Sequence, residues 1–557
     1  MKRIFSLFGM AFIFTTAFSQ NQSLDYTPPI QEKLVLNGSF GELRNHHFHS
    51  GVDFGTFRKT GLPIVAVTDG VINRIKVSSF GYGWVVYLRH NDGYSTVYAH
   101  LESFAEPIAS YVKNAQYKNQ SFDIELFPTQ NELKIKKGDV IGYSGNTGNS
   151  GGPHLHFELR ETASERTINP FLKGIFSTIQ DSLKPVVNSL WAYPIGNHST
   201  VKGIDVPILL DYQSNEKGEF VTETLFAQGE IGFGVNSHDI LQDSGGKNGL
   251  FELKMYVDEQ LYTHIQFDDF LFIETRTINT LTDYQKWRES KIMVQKFFQT
   301  GTYRAPMYKQ LKDNGILKLS KGNKHLVKLE LSDFHGNTQV IKIPVVHKKF
   351  TPTKKERTGK YIDYYKDYVF ENEGKSVAWS ALTLAENAYL DIDLSGETIK
   401  IHEDIIPVFK DLDIRFDVSN REIDKEKSFI GRIDNGKILY CDTWKKGNDF
   451  RTRVKNLGVF NVYEDLDAPI IEDRNSQNQY KFTDVLQFYI KDKLSGIQIF
   501  NGYINGKWAL FTYEHKSGII THALSDTIAV LGKNTLTIEV TDKVGNKQKL
   551  NYEFVVE

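Results

Sequence analysis

Leu412, Ile414, Phe416 and Val418 alternate with Asp411, Asp413, Arg415 and Asp417, which puts an apolar set on one face of an extended chain and a charged set on the other. Leu536, Ile538 and Val540 repeat the pattern. Nearer the start, Trp84-Val85-Val86-Tyr87-Leu88, the turn Asn91-Asp92-Gly93 and the run Ser95 to Tyr98 predict a β-hairpin. Lys137-Gly138-Asp139 and the loop Ser144 to Gly152 punctuate later strands in the same way. The chain is therefore expected to be mainly β: a compact antiparallel β domain over residues 25–175 with little helix, followed by about three β-sandwich (Ig-like) domains.

Two stretches echo each other. Leu331-Ser332-Asp333-Phe334-His335-Gly336-Asn337 and Val540-Thr541-Asp542-Lys543-Val544-Gly545-Asn546 both give Asp-x-x-Gly-Asn after a strand. Each closes a segment that opens on an acidic, proline-bearing entry, Asp181 to Val187 in one and Asp465 to Ile471 in the other. These repeats predict related sandwiches over 183–348 and 465–557. A β domain over 349–464 lies between them and begins at the charged linker Lys354-Lys355-Glu356-Arg357.

Composition narrows the function classes. A chain of 557 residues exceeds what one core organises, and 40% hydrophobic with 24% charged residues is the balance of folded domains. With 66 basic against 68 acidic residues and no long basic run, nucleic acid is not an expected partner. Met1-Lys2-Arg3, an uncharged apolar run from Ile4 to Phe18, and Ala17-Phe18-Ser19 predict a signal peptide over 1–19, hence an exported protein, periplasmic or secreted. No later run is long enough to span a bilayer, so no membrane span is expected after signal removal. Cys441 is the sole cysteine, so no internal disulfide forms and stability must come from packed cores.

Two motifs about a hundred residues apart supply His and Asp donors of the kind a catalytic zinc site draws on. In His49-Ser50-Gly51-Val52-Asp53, a straight strand would hold the two donors roughly 13 Å apart. The chain must bend between them, and Gly51 is the expected hinge because glycine reaches dihedrals closed to other residues. In His154-Leu155-His156-Phe157-Glu158, strand alternation sends both histidines to one face, spaced roughly 7 Å apart, so one is expected to ligate while the other stands beside the reaction centre.

These residues, with Tyr98-Ala99-His100-Leu101, Gly145-Asn146-Thr147-Gly148 and Gly152-Pro153 before the histidine pair, resemble the M23 (lysostaphin-like) zinc metallopeptidases over roughly residues 35 to 172. The resemblance implies that His49, Asp53 and His156 bind Zn2+ and that His100 and His154 are catalytic, one accepting a proton from a zinc-activated water. It implies hydrolysis of peptide cross-links in bacterial peptidoglycan, with peptidoglycan peptides as the substrate partner. The alternative is a non-catalytic envelope scaffold or regulator that uses the same fold and its C-terminal β domains to contact other envelope proteins. Gly151 stands where the family usually has threonine, and the segment from Glu102 to Ile135 is longer than in compact members, placed to wall or cover the groove. Any autoinhibition is expected from that segment or from the C-terminal modules. His46, His47 and His90 are assigned to surface or turn roles, Ser150 to a plain loop role and Cys441 to packing.

Overall fold

The computed structural model describes residues 25–242, 246–351, 358–526 and 528–557. The signal peptide expected over 1–19 and the linker at 354–357 lie outside the described residues.

The N-terminal β domain is one antiparallel sheet whose main path runs Leu36–Gly38, Val52–Gly55, His154–Glu161, Tyr94–Phe104, Trp84–Arg89, Gly70–Val77 and Lys134–Ile135. The predicted hairpin is its Trp84–Arg89/Tyr94–Phe104 pair. Strand alternation divides the work of His154–Glu161. Leu155, Phe157 and Leu159 are fully buried in the core, with the Phe157 ring edge-on to Tyr98 and Phe176. His154, His156, Glu158 and Arg160 fall on the opposite, polar face. The long segment after Glu102 forms the helix Ile108–Asn119, which buries Ile108 and Val112, and the strand Ile124–Leu126, which pairs with Gly70–Val77.

The next unit, from Val186 to His347, joins its strands into one branched hydrogen-bonded network. Its strands Val186–Val201 and Leu225–His238 are 16 and 14 residues long and pair along nearly their whole length. Their pairing shifts register between Val187 and Ser189 and between Ile195 and Thr200, irregularities of the kind that let strands of this length bend. Packing also ignores the boundary expected between 175 and 183. Thr167–Ile168 pairs with Asp269–Phe270, Phe270 packs on Phe40 and Phe48, and Phe267 on Phe48. One hydrophobic core therefore extends from Ile30 to Val345.

Two further units have cores of their own. Two five-stranded sheets enclose Val377 and Phe450 together with Leu412, Ile414, Phe416 and Val418, the apolar set of the alternating stretch. At the end of the chain a four- and a five-stranded sheet enclose Phe488, Leu536, Ile538 and Val540. Among the described residues no helix is long and apolar enough to cross a membrane.

Candidate metal centre

Asp53 and His156 face each other across the Val52–Gly55/His154–Glu161 pairing. His49 lies just before the first of these strands, its main chain tied to Gly41 and Glu42. The reason Gly51 must be glycine differs from the expectation. Its backbone is outside the left-handed region, and what it supplies is space: a Cβ there would lie 2.2 Å from the Phe157 carbonyl oxygen. Close approach of the two strands, made possible by the missing side chain, brings His49 and Asp53 to His156.

The donor atoms converge. His49 Nε2 lies 3.0 Å from Asp53 Oδ1 and 3.0 Å from His156 Nδ1, and His156 Nδ1 lies 2.9 Å from Asp53 Oδ1. Tetrahedral coordination with arms of about 2.05 Å has edges near ~3.3 Å, so the three atoms need to spread only slightly around an ion of zinc's size. The hydrogen bonds made by the other ring nitrogens fix the tautomers. His49 Nδ1–H donates to the Ser39 carbonyl at 2.8 Å, and His156 Nε2–H donates to Glu158 Oε1 at 2.9 Å. Both rings then turn their remaining nitrogens toward each other and toward a carboxylate oxygen, an arrangement that calls for a shared cation, a proton or a metal ion.

The electrostatics favour positive charge at that focus. Burial pushes His49 down to about 4. Burial opposes a charged His156 too, yet the Asp53 and Glu158 carboxylates lift it to about 9. Burial likewise acts to raise the Asp53 carboxyl, but His49 and His156 hold it well below the ordinary carboxylate range. The buried donors His49, Asp53 and His156 form a His-Asp-His set fit for a divalent metal.

Around the donors is a layer to which sequence reasoning assigned no role, Ser50 and Glu158 standing only inside the two histidine motifs. Fully buried Glu158 accepts from His156, Ser50 and Tyr82 through Oε1, and from Arg160 through Oε2. Tyr82 also stacks on the His156 ring. Arg44 Nη2 donates to Asp53 Oδ2 at 2.6 Å, which leaves only Oδ1 for the focus. The legible signal for Glu158 was its place two residues after His156 on the same strand face.

His100 and His154 stand beside the donors, with ring centroids 4.9 Å apart. His100 has φ 61, a left-handed conformation rare for a residue with a side chain, and its ring sits close to those of His154 and His156. Its Nδ1–H donates to the Thr147 carbonyl at 2.9 Å; that of His154 donates to the Gly152 carbonyl at 2.8 Å. Each Nε2 is then a lone-pair acceptor, and that of His154 lies 3.5 Å from Asp53 Oδ1. Burial lowers both, His100 to about 3, so both rings are neutral at physiological pH.

The remaining candidates divide. Ser150 is more than a loop residue, since its Oγ donates to Gly152 O and lies 3.1 Å from His154 Nδ1. His90 is buried, bonded to Asp69 O and Thr96 Oγ1, and not at the surface, because its turn is covered by Tyr26. His46 packs on Trp287 and His47 is exposed. Cys441 is half-buried against the core of the third unit.

The last β unit reaches this face. Lys516 donates to the carbonyls of Asn146 and Ser150, in the loop that carries the supports of His100 and His154, and His515 packs on Phe80. Asp526 pairs with Lys113 and Tyr117 of the helix Ile108–Asn119, and Trp508 meets the Tyr117 ring edge-on.

Comparison with known proteins bears on the region that holds these residues. The model of peptidase family M23 matches residues 47–120 and 117–170, a span holding all five histidine and aspartate positions. The chain carries an M23 peptidase domain. A Zu5-like domain model matches residues 359–465. An uncharacterized metalloprotease of Haemophilus influenzae is 34% identical over 148 residues, 26% of each chain. The DD-carboxypeptidase/endopeptidase Mpg of Neisseria meningitidis serogroup B is 34% identical over 128 residues, 23% of each. The crystallised catalytic domain of lysostaphin from Staphylococcus simulans is 28% identical, covering 24% of this chain and 89% of its own, with a TM-score of 0.18. The similarity thus spans about a quarter of the length of these curated relatives.

Proposed function

We propose that the chain is an exported zinc metallo-endopeptidase that hydrolyses peptide cross-links of bacterial peptidoglycan. The observation that carries this reading is the convergence of His49 Nε2, His156 Nδ1 and Asp53 Oδ1, with both imidazole tautomers fixed from behind. Two imidazoles and one carboxylate suit zinc, and three protein donors leave a position open for chemistry. When bound there, zinc supplies a Lewis acid that polarises a carbonyl and acidifies water.

The protein's own residues supply the rest. Glu158 fixes the rotation and tautomer of His156, and Arg44 restrains Asp53 to one coordinating oxygen. His100 and His154, neutral and with Nε2 unprotonated, are the groups that accept the proton of the attacking water. A ring that has taken this proton becomes an Nε2–H donor, able to stabilise the developing oxyanion or to protonate the leaving amine. The substrate class rests on relatives named as a DD-carboxypeptidase/endopeptidase and as lysostaphin. In a wall with directly linked stem peptides, the bond between D-alanine and a diamino acid is the expected target.

Purified full chain loaded with zinc and incubated with sacculi tests the reading. Wild type should release muropeptides and His156→Ala should not. Equal release by both would leave the fold as a scaffold.

A further inference from the structure

Far from His156 in the sequence, the entry into the second unit meets the Asp-x-x-Gly-Asn turn. Potential ligand atoms of Asp181, Asp333 and His335 lie within 4.8 Å of one another. His335 Nε2–H donates to the Ile179 carbonyl at 2.9 Å, which leaves its Nδ1 lone pair free. Asp181 Oδ1 accepts from the Leu183 amide, while its buried Oδ2 has no partner. Asp333 takes both the main-chain and side-chain N–H of Asn337.

A second observation is independent of that cluster. Asp239 is 4% exposed and its Oδ1 has no hydrogen-bond partner; Asn248 is 2% exposed and neither its Oδ1 nor its Nδ2 has one. The two residues exchange both main-chain hydrogen bonds, at 2.8 and 2.9 Å, so their side chains share one face of the pair. With His335 they line a cavity of about 30 Å³, room for an ion or a water. Among the described residues no lysine or arginine is ion-paired with Asp181, Asp239 or Asp333. Buried carboxylates without a counter-charge are costly, and coordinating a metal is one of the few ways a fold keeps them.

We infer that Asp181, Asp333 and His335 form a second divalent-cation site, distinct from the M23 centre, which Asp239 and the Asn248 amide oxygen complete from the cavity they share with His335. The mixed carboxylate and imidazole donors suit Mn2+ or Zn2+. The repeated turn near the C-terminus is the contrast. Asp465, Asp492 and Asp542 cluster similarly, but each carboxylate accepts from main-chain amides, those of Leu494, Ser495, Gly496, Val544 and Asn546, and none of their oxygens is both buried and unpartnered. A cation at the first site would pin the linker 174–185, whose Ile179 and Asp181 carbonyls already accept from His335 and Asn337.

The test is metal content of the full chain carrying His49→Ala and His156→Ala, equilibrated with Mn2+ or Zn2+ and desalted. One equivalent should remain, and adding Asp239→Asn or Asp181→Asn should remove it, whereas adding Asp542→Asn should not. If the double variant does not fold, as judged by circular dichroism, wild type should hold two equivalents of Zn2+ and Asp239→Asn one. No retained ion in the folded double variant, or one indifferent to both Asp239→Asn and Asp181→Asn, would overturn the inference.

Discussion

Glu158, with no solvent exposure, accepts the Nε2–H of His156 at 2.9 Å and so decides which nitrogen of that ring faces Asp53. A buried carboxylate behind a metal-binding histidine fixes its tautomer and raises its basicity. Glu158→Gln can still accept from the ring through its amide oxygen, but the charge is lost and Arg160 keeps only Glu165 as an ion-pair partner. Zinc affinity, measured by competition with a chromogenic chelator, is expected to fall about 10- to 100-fold. Unchanged affinity would mean that Glu158 only packs.

His100→Ala and His154→Ala should separate chemistry from metal binding. Neither ring belongs to the convergent donor set, so zinc stoichiometry should stay at the wild-type value for the M23 centre while kcat falls by roughly 10²- to 10⁴-fold, the range for loss of a general acid–base group. Loss of zinc from either variant would move that histidine into the donor set.

Gly51→Ala tests the close approach of strands. A methyl group 2.2 Å from the Phe157 carbonyl forces the strands apart, with Glu158 also in its way. The variant should lose about 1–3 kcal/mol of stability and bind zinc more weakly, seen together in thermal melts and chelator competition. A wild-type melt would show that the local backbone yields freely.

The hairpin carrying Lys516 should restrain the cleft. Its ammonium caps the Asn146 and Ser150 carbonyls in the loop that positions His100 and His154. A chain ending at residue 464 is expected to cleave a soluble stem-peptide substrate several-fold faster than the full chain, with Lys516→Ala between them. Equal rates in all three would make the contact purely structural. Truncation near Ser182 is the wrong comparison, because it would strip Phe267 and Phe270 from the core they share with Phe40 and Phe48.

Asp239 gives a pH dependence whose sign follows from linkage. Its folded value, near 8, lies above its ordinary 3.8, so between these limits the folded chain holds a proton that the unfolded chain does not. Stability contributed by that proton is complete below about pH 4 and is lost as pH rises toward 8. In chelator-treated protein the melting temperature should therefore fall across this window, and Asp239→Asn should flatten the slope. An identical slope in the variant would assign the effect to other groups.

The β class was legible because it is written in local spacing; the donor set was legible only through the resemblance of its motifs to the M23 family, since spacing left open which of His154 and His156 ligates. Alternation along Leu412 to Val418 fixes a buried face whatever the partner strand. His154 and His156 share a face because they stand two apart on a strand. The Asp-x-x-Gly-Asn echo likewise returns as two turns of one design, in which Asn337 reaches the Asp181 carbonyl and Asn546 that of Asp465. Ordered motifs brought His49, Asp53 and His156 together on the page before any coordinates did.

Tertiary structure alone decided what depends on residues distant in sequence. No local pattern tells that Gly51 is required by the Phe157 carbonyl, that Arg44 takes the second oxygen of Asp53, or that Phe270 closes the core of a domain ending a hundred residues earlier. The same holds for Asp239 and Asn248, which read as ordinary polar residues until the fold buries them without partners. Spacing along a strand determines which way a side chain faces; only the packed chain determines what it meets there.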